Sequence, residues 1–560
     1  MSEKPWLAHY DDGVPAHIDY PEITLVEMFE QTARKYPDSP CTIFKGAVIA
    51  YKEMDEITDR LAAGFASIGL QKGDRVGLLV PNTPQFVMAY FAVMKAGGIV
   101  VATNPLYTGR EIIHQANDAG MKAMVVMTNF YEKVRAIKDQ TKLETLVVTN
   151  LKETLPPLLR VLFTLAKEKK GGFRVDALGP GDVWMQDLIS QHTPAERPKI
   201  DLSPDDTAVF QYTGGTTGVS KGAVAMHRGI VANSYQIDGW LTECEDGKEV
   251  VLMAIPLYHA YGMIVGMTFG VKTGASLVMV PDPRDTKDVL ENLQKYRATI
   301  YPGVPAMYNA INNHPDVLSG KYDVTSIKAC ISGSAPLLRE TKETFERLTK
   351  GKLFEGYGLS ETTVATHCNP LLGVNKTGSI GLPFPDVECK VVDLDDGTTE
   401  LEAEEVGEII IKGPQVMKGY HNMPTETANS LRDGWLYTGD IGYMDEEGYF
   451  YIVDRKKELI KPGGFQVWPR EVEEVLATHP AILEAGVAGI PDAHSGEAVK
   501  AWVVLKPGES ITVDELRDFC KENLAAYKVP KEVVFMDQLP RTNVGKILRR
   551  ELVRMHQETN

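Results

Sequence analysis

The chain has 560 residues, 43% hydrophobic and 24% charged, an ordinary balance for a globular protein able to bury a large core. Its 76 acidic residues outweigh 59 basic ones, giving a net charge of −17, which excludes nucleic-acid binding over a broad surface but leaves room for a local basic pocket. The six cysteines (41, 244, 330, 368, 389 and 520) are scattered without a CxxC pair, which excludes a disulfide framework and a thiolate zinc site and fits a reducing, cytoplasmic setting.

In chain order, the first predicted unit is a strand at Asp74–Val80, a helix over Pro84–Ala96 and a strand at Ile99–Ala102. A helix over Glu111–Ala119 leads to a strand at Met121–Met127. Short apolar runs alternating with helices at this spacing predict a parallel sheet with both faces covered. The apolar stretch Phe86–Val101, bounded by Gln85, is too short and too broken by Lys95 and two glycines to span a bilayer, and no apolar core follows Met1 to form a secretory signal. Residues 155–170 stand apart: Leu158, Leu159, Val161, Leu162, Phe163 and Leu165 precede Lys167, Lys169 and Lys170. Two readings stand for them, an amphipathic helix resting on a membrane surface, or a helix packed on the body with a solvated basic tail.

Next comes a strand at Asp206–Gln211, then Tyr212-Thr-Gly-Gly-Thr-Thr-Gly-Val-Ser-Lys-Gly-Ala223, then a helix over Met226–Trp240. The glycines, Thr213, Thr216, Thr217, Ser220 and Lys221 can bring backbone N–H groups, hydroxyls and an ammonium onto one polyanion, and a triphosphate is the expected guest. A position between strand and helix is where phosphate loops usually sit. No hydroxyl follows Lys221, so this is not a Walker loop. A flexible surface loop is the plainer reading of the same small residues.

Strands at Val250–Ile255, Ser276–Val280, Thr299–Tyr301 and Ile327–Ile331 continue the alternation. The segment Pro256–Phe269, rich in aromatics, Met and Gly, suits an apolar acyl tunnel or simply a core helix. In Phe354–Thr363, Tyr357 can stack on a planar base between Gly356 and Gly358, Ser360 can reach a phosphate oxygen, and Glu361 offers the oxygen that Mg2+ favours. From Glu388 the texture changes to short strands at Glu388–Val392, Gly407–Ile411, Gly434–Tyr437 and Gly448–Val453, where Asp440 of Tyr437-Thr-Gly-Asp440 can accept ribose hydroxyls. After Asp454 a charged, Gly-rich stretch leads to a helix (Arg470–Thr478), strands (Ile482–Gly489 and Ala498–Leu505), a helix (Thr512–Leu524) and a strand (Glu532–Met536).

The ordered set Tyr212–Ala223, Gly356–Thr362, Tyr437–Asp440, Asp454–Gly464 and Pro540–Lys546 resembles the adenylate-forming superfamily of acyl-CoA synthetases, peptide-synthetase adenylation domains and firefly-type luciferases. The resemblance covers essentially the whole chain and is greatest to bacterial long-chain fatty acid–CoA ligases. It implies an α/β fold: a large N-terminal domain, residues 1–453, of parallel-rich sheets with helices and a β-rich subdomain at about 385–453. A small mobile α+β C-terminal domain, 454–560, would follow a hinge at Asp454–Arg455.

By matching position, the resemblance implies that Thr213, Gly214, Gly215, Thr216, Thr217, Gly218 and Lys221 hold the β- and γ-phosphates of ATP, with Thr213 and Glu361 on Mg2+. Gly333, Glu355, Gly356 and Tyr357 would frame the adenine, Ser360 would stand where Thr is commoner, and Asp440 and Arg455 would bind the ribose. Lys546 would bridge carboxylate and α-phosphate, His259 would lie beside the substrate carboxylate, and Lys461, Gly463 and Gly464 would line the coenzyme A channel. The implied partners are a fatty acid, ATP and coenzyme A, with peripheral contact to the inner face of the membrane through 155–170 and a homodimer as further expectations. Aryl- or other carboxylate–CoA ligases and enzymes loading a carrier protein remain alternatives on these motifs.

Overall fold

The computed structural model describes residues 4–213, 220–492, 495–542 and 546–559, and they divide into two compact units. The larger comprises Trp6–Glu388 and Lys412–Leu436; the smaller comprises the N-terminal residues up to Pro5, Cys389–Ile411 and the chain from Tyr437 onward. Residues 389–411 and 437–453 thus cluster with the C-terminal segment.

The larger unit is built on two parallel-rich sheets. One has the strand order Val183–Trp184, Thr145–Thr149, Met121–Met127, Arg75–Leu79, Ile99–Ala102, Thr207–Thr213 and Lys221–Met226. All neighbours in it run parallel except the last pair. Its central strands are near-continuous runs of Val, Leu and Met because helices cover both faces, and Val76, Leu78, Leu79, Val100, Val101, Met124, Val125 and Val126 are fully buried. The helix Pro84–Lys95 is buried on every side. That burial includes Lys95, whose ammonium meets Asp55 at 2.5 Å and Asp59 at 2.7 Å, the pairing a buried cation requires.

The second sheet runs Ala47–Ala50, Pro40–Phe44, Ser276–Met279 and Val250–Met253. A bridge at Ile300 joins it to Ala329–Ser332, Lys352–Gly358, Ala365–Cys368 and Leu382–Pro383. The expected strand at Thr299–Tyr301 is therefore this bridge alone: Thr299 turns its hydroxyl to the backbone of Val250 and only Ile300 pairs on both sides.

A second expectation is corrected at the Gly/Thr-rich segment. The chain after it does not enter a helix directly; Lys221–Met226 forms a strand antiparallel to Thr207–Thr213, with Thr213 opposite Lys221 and Tyr212 opposite Gly222. The strands flanking the segment thus form a β-hairpin, and Gly222 and Ala223, expected in the loop, lie in its second strand; the helix expected from Met226 follows at His227–Trp240.

In the smaller unit, Glu388–Val392, Gly407–Lys412, Trp435–Met444 and Phe450–Arg455 form an antiparallel-edged sheet. A three-stranded sheet follows, Ile482–Asp492 against Gly496–Leu505 against Glu532–Phe535. It is packed by the helices Pro469–Ala477 and Val513–Asn523, the latter capped reciprocally by Thr512 and Glu515. A last helix, Arg549–Thr559, was not expected; its apolar positions are few, and Leu552, fully buried, anchors it to the sheet with Val553 packed beside it. No helix among the described residues is long and apolar enough to cross a membrane.

Candidate active site

Within the larger unit, the hairpin base is fixed from three sides. The Tyr212 phenol donates to Asp118 at 2.5 Å, and Gln211 donates to the carbonyl of Tyr258 at 3.2 Å. The third support is the segment 417–421, which zips along Lys221–Met226: Val224 N–H to Gly419 O at 2.9 Å, Lys418 N–H to Val224 O at 2.9 Å and His421 N–H to Gly222 O at 2.8 Å.

That zipper places Tyr420 against the strand and against Glu361. Its phenol donates a 2.7 Å hydrogen bond to Glu361 Oε1, while Met417 N–H donates to the Glu361 carbonyl at 2.7 Å. Burial, and then the Glu361 charge, push the Tyr420 phenol well above its usual range, so it stays protonated and a donor. Lys221 lies over the Tyr420 ring at 5.1 Å and pairs with Glu426. The structure thereby gathers Lys221, Glu361 and the end of the Thr207–Thr213 strand in one corner. The side chain of Thr213 and residues Gly214, Gly215, Thr216, Thr217 and Gly218 lie outside the described residues.

The backbone beside Glu361 is strained. Thr363, a β-branched residue, holds φ at 62°, a conformation that costs about 1–3 kcal/mol and persists only where the surroundings enforce it. Its hydroxyl is tied to the Gln415 carbonyl at 2.6 Å, and Ala365 is held by Asn233. Ser360 opens the short turn that carries Glu361. Gly358 admits no side chain, because a Cβ there would stand 1.4 Å from the Val364 carbonyl.

Parallel pairing of Ala329–Ser332 with Lys352–Gly358 sets Ser332 opposite Glu355, so Gly333 follows beside Gly356. A Cβ on Gly333 would press the Tyr261 ring at 3.2 Å, and one on Gly356 would strike Ile331 at 2.8 Å. Tyr261 is itself locked by its phenol to the Ile331 carbonyl at 2.5 Å. Two residues earlier, half-buried His259 accepts the Tyr261 N–H at Nδ1, 3.2 Å, which leaves its other ring nitrogen as the protonated one. Tyr357 stands edge-on to buried His367, ring centroids 5.8 Å apart. The Glu355 carboxylate accepts Leu337 N–H at 3.0 Å and Gly378 N–H at 2.9 Å, fixing two loops. The residues Gly262–Thr268 after His259 form a π-helical turn, every residue buried, a form that recurs at functional sites.

The smaller unit holds the other predicted residues. Asp440, 2% exposed, sits opposite Arg455 in the sheet register and pairs with its guanidinium. Gly439, at φ 69°, donates to Glu408, which also pairs with Lys456 at 2.8 Å. Asp454 is buried and accepts Arg455 N–H at 2.7 Å and Arg470 N–H at 2.8 Å, the latter at the start of the Pro469–Ala477 helix. Burial raises its carboxyl above the usual range, opposed by Arg549 at 3.5 Å.

Lys461 is exposed, its N–H held by Glu497 at 2.6 Å; Gly463 takes φ 59° and donates to the Ser495 carbonyl at 2.8 Å; Gly464 closes the same turn. Lys546 is exposed, its backbone tied both ways to Thr542.

Three residues of the corner escaped sequence reasoning: Tyr420, Glu426 and Thr363. Tyr420 lies 59 positions from Glu361, and only the zipper along Lys221–Met226 brings them together.

Comparison with known proteins places the chain. The family described as AMP-binding enzyme matches residues 29–421, and its C-terminal domain matches residues 471–546. A long-chain-fatty-acid–CoA ligase of Bacillus subtilis (strain 168) is 43% identical across 100% of this chain and 99% of its own. One of Escherichia coli O157:H7 is 38% identical across 98% of each. The crystal structure of ATP-bound MatB from Rhodopseudomonas palustris superposes with a TM-score of 0.83 at 30% identity, covering 96% of this chain and 100% of that one. The chain belongs to the AMP-binding enzyme family.

Proposed function

We propose that this chain activates a fatty acid with ATP, releasing pyrophosphate and forming acyl-AMP, and then transfers the acyl group to coenzyme A, releasing AMP. The observation that carries this reading is the corner where Lys221, Tyr420-held Glu361 and the end of the Thr207–Thr213 strand converge, on a chain alignable end to end with long-chain-fatty-acid–CoA ligases.

A carboxylate resists acyl transfer because its leaving group would be oxide. Attack of a carboxylate oxygen on the α-phosphorus forms the acyl–phosphate bond and breaks the bond to pyrophosphate, giving a leaving group that a thiol can displace. Negative charge gathers on phosphoryl oxygens, so fixed cations and N–H donors there lower the barrier, typically by about 3–4 kcal/mol for each well-placed donor. Lys221 and the hairpin loop serve the β- and γ-phosphates. Gly333, Gly356 and Tyr357 form the adenine wall, braced by Tyr261 and by the Glu355 carboxylate. Asp440 and Arg455 take the ribose, and Lys546 serves the α-phosphate. His259 faces the substrate carboxylate, and the buried Gly262–Thr268 turn lines the acyl tail.

The oxygen donors Glu361 and Thr213 suit Mg2+, a hard cation, and the bond from Tyr420 fixes the Glu361 carboxylate without taking both oxygens. When bound, Mg2+ supplies charge neutralisation on the phosphates.

In the second step the thiol of coenzyme A attacks the acyl-adenylate carbonyl and AMP leaves. Lys461, Gly463 and Gly464 form the channel for its pantetheine arm, and the exposed left-handed Gly463 gives a side-chain-free backbone for that arm to pass. A hinge at Asp454–Arg455 exchanges Lys546 for this turn. Turnover against acids of graded chain length and aromaticity, read as pyrophosphate release, tests the substrate class. A rise with aliphatic length supports it, and preference for aryl acids contradicts it.

A further inference from the structure

Residues Pro157–Ala166 form a helix in which no residue is buried. Leu158, Val161, Leu162 and Leu165, at positions i, i+3, i+4 and i+7, share one face and are 72%, 56%, 51% and 80% exposed. An apolar stripe at this spacing normally faces a core. Here Phe163 leans edge-on against Phe173, ring centroids 5.4 Å apart, and the stripe points to solvent. Four large apolar side chains in one contiguous exposed patch mark a docking surface.

Charge identifies the occupant. Residues 153–176 carry five basic side chains (Arg160, Lys167, Lys169, Lys170 and Arg174) against three acidic, of which Glu153 pairs with Arg160 and Asp176 with Arg174. Glu168 is buried and paired with Lys152 at 2.7 Å, whereas Lys167, Lys169 and Lys170 are exposed immediately after the helix. On a chain of net charge −17 this basic edge is a local exception that would turn the helix, and no acidic face, toward an anionic surface. A two-fold contact with a second copy would oppose the same lysines to one another, which disfavours a dimer through this patch. Ten residues span about 15 Å, half a bilayer core, so the helix lies in the interface and does not cross it.

We propose that the helix Pro157–Ala166 and the lysines following it dock this protein on an anionic lipid bilayer, with Leu158, Val161, Leu162 and Leu165 inserted among the acyl chains. The lysines lie at the headgroups, where anionic lipid attracts them. The proposal extends the fatty-acid reading, since long acyl chains partition into bilayers, but it rests on the helix itself and its test needs no turnover.

Full-length protein is floated with phosphatidylcholine vesicles, with and without about 40 mol% phosphatidylglycerol. Binding is expected to the anionic vesicles at least about tenfold above the neutral ones at low salt. L158S/L162S/L165S is expected to lower that binding about tenfold or more at any salt, and K167E/K169E/K170E to erase the preference for anionic lipid. All six positions are exposed, and unchanged thermal melting confirms that both variants fold. Absence of wild-type flotation, or equal flotation of all three proteins, overturns the proposal. So does a wild-type dimer that the leucine variant dissociates while vesicle binding persists, since the patch would then belong to a second copy.

Discussion

The phenol of Tyr420 donates a 2.7 Å hydrogen bond to Glu361, joining two residues 59 positions apart that meet because 417–421 pairs with the hairpin strand Lys221–Met226. The bond orients the one described carboxylate expected to serve the metal–nucleotide. Tyr420→Phe should raise the KM for magnesium–ATP about fivefold to twentyfold, the loss of one hydrogen bond to a charged group. The KM for the acid should change little. A steady-state titration of ATP and Mg2+ checks this; equal effects on both substrates would point to general disruption.

Lys221 shares its corner with Glu426, which competes for the ammonium that a phosphate needs. Glu426→Gln should lower the KM for ATP by up to about fivefold, in keeping with a half-exposed pair worth at most about 1 kcal/mol. Lys221→Ala should raise it by about tenfold or more. Isothermal titration with a non-hydrolysable ATP analogue reads both effects directly.

The two half-reactions should separate by residue. Lys546→Ala should slow adenylate formation by about a hundredfold or more while sparing thioester formation from supplied acyl-AMP. Gly464→Leu should leave pyrophosphate release largely intact and block transfer to coenzyme A, since it places a bulky side chain next to the left-handed Gly463 in the turn proposed to line the channel. Single-turnover assays of each step check both, and equal loss of both steps in either variant would refute its assigned role.

Acid should destabilise the larger unit through His227. Burial lowers its pKa from the usual value near 6.5 to about 4, against the opposing pull of Asp206 and Glu27, and its Nδ1 accepts the Leu25 N–H. The unfolded chain therefore binds the proton that the folded one refuses. Stability from this residue is fully present above about pH 6.5 and is lost as pH falls toward 4, up to about 3 kcal/mol. Chemical denaturation at graded pH should show that slope, and His227→Gln should flatten it.

Much of the fold was legible because its signals are local. The parallel strands are uninterrupted apolar runs, and the helix Val513–Asn523 carries its own Thr512–Glu515 cap. What stayed hidden depends on pairing at a distance. Gly222, Ala223 and Ala225 have no strand propensity of their own and become a strand only between Thr207–Thr213 and the segment 417–421. The same pairing creates the Tyr420–Glu361 contact. Glu355 shows the complementary limit: the motif that contains it gives no sign that its two oxygens brace Leu337 and Gly378, residues 18 and 23 positions away. Thr363 gives no sequence sign of its left-handed backbone, because tertiary contacts impose it.

Exchange of labelled pyrophosphate into ATP, measured without coenzyme A, tests the central claim most directly. An acyl-adenylate intermediate predicts exchange that requires both a fatty acid and Mg2+, and that falls by about a hundredfold in Lys546→Ala. Exchange that proceeds without acid, or that appears only when coenzyme A is added, would contradict it.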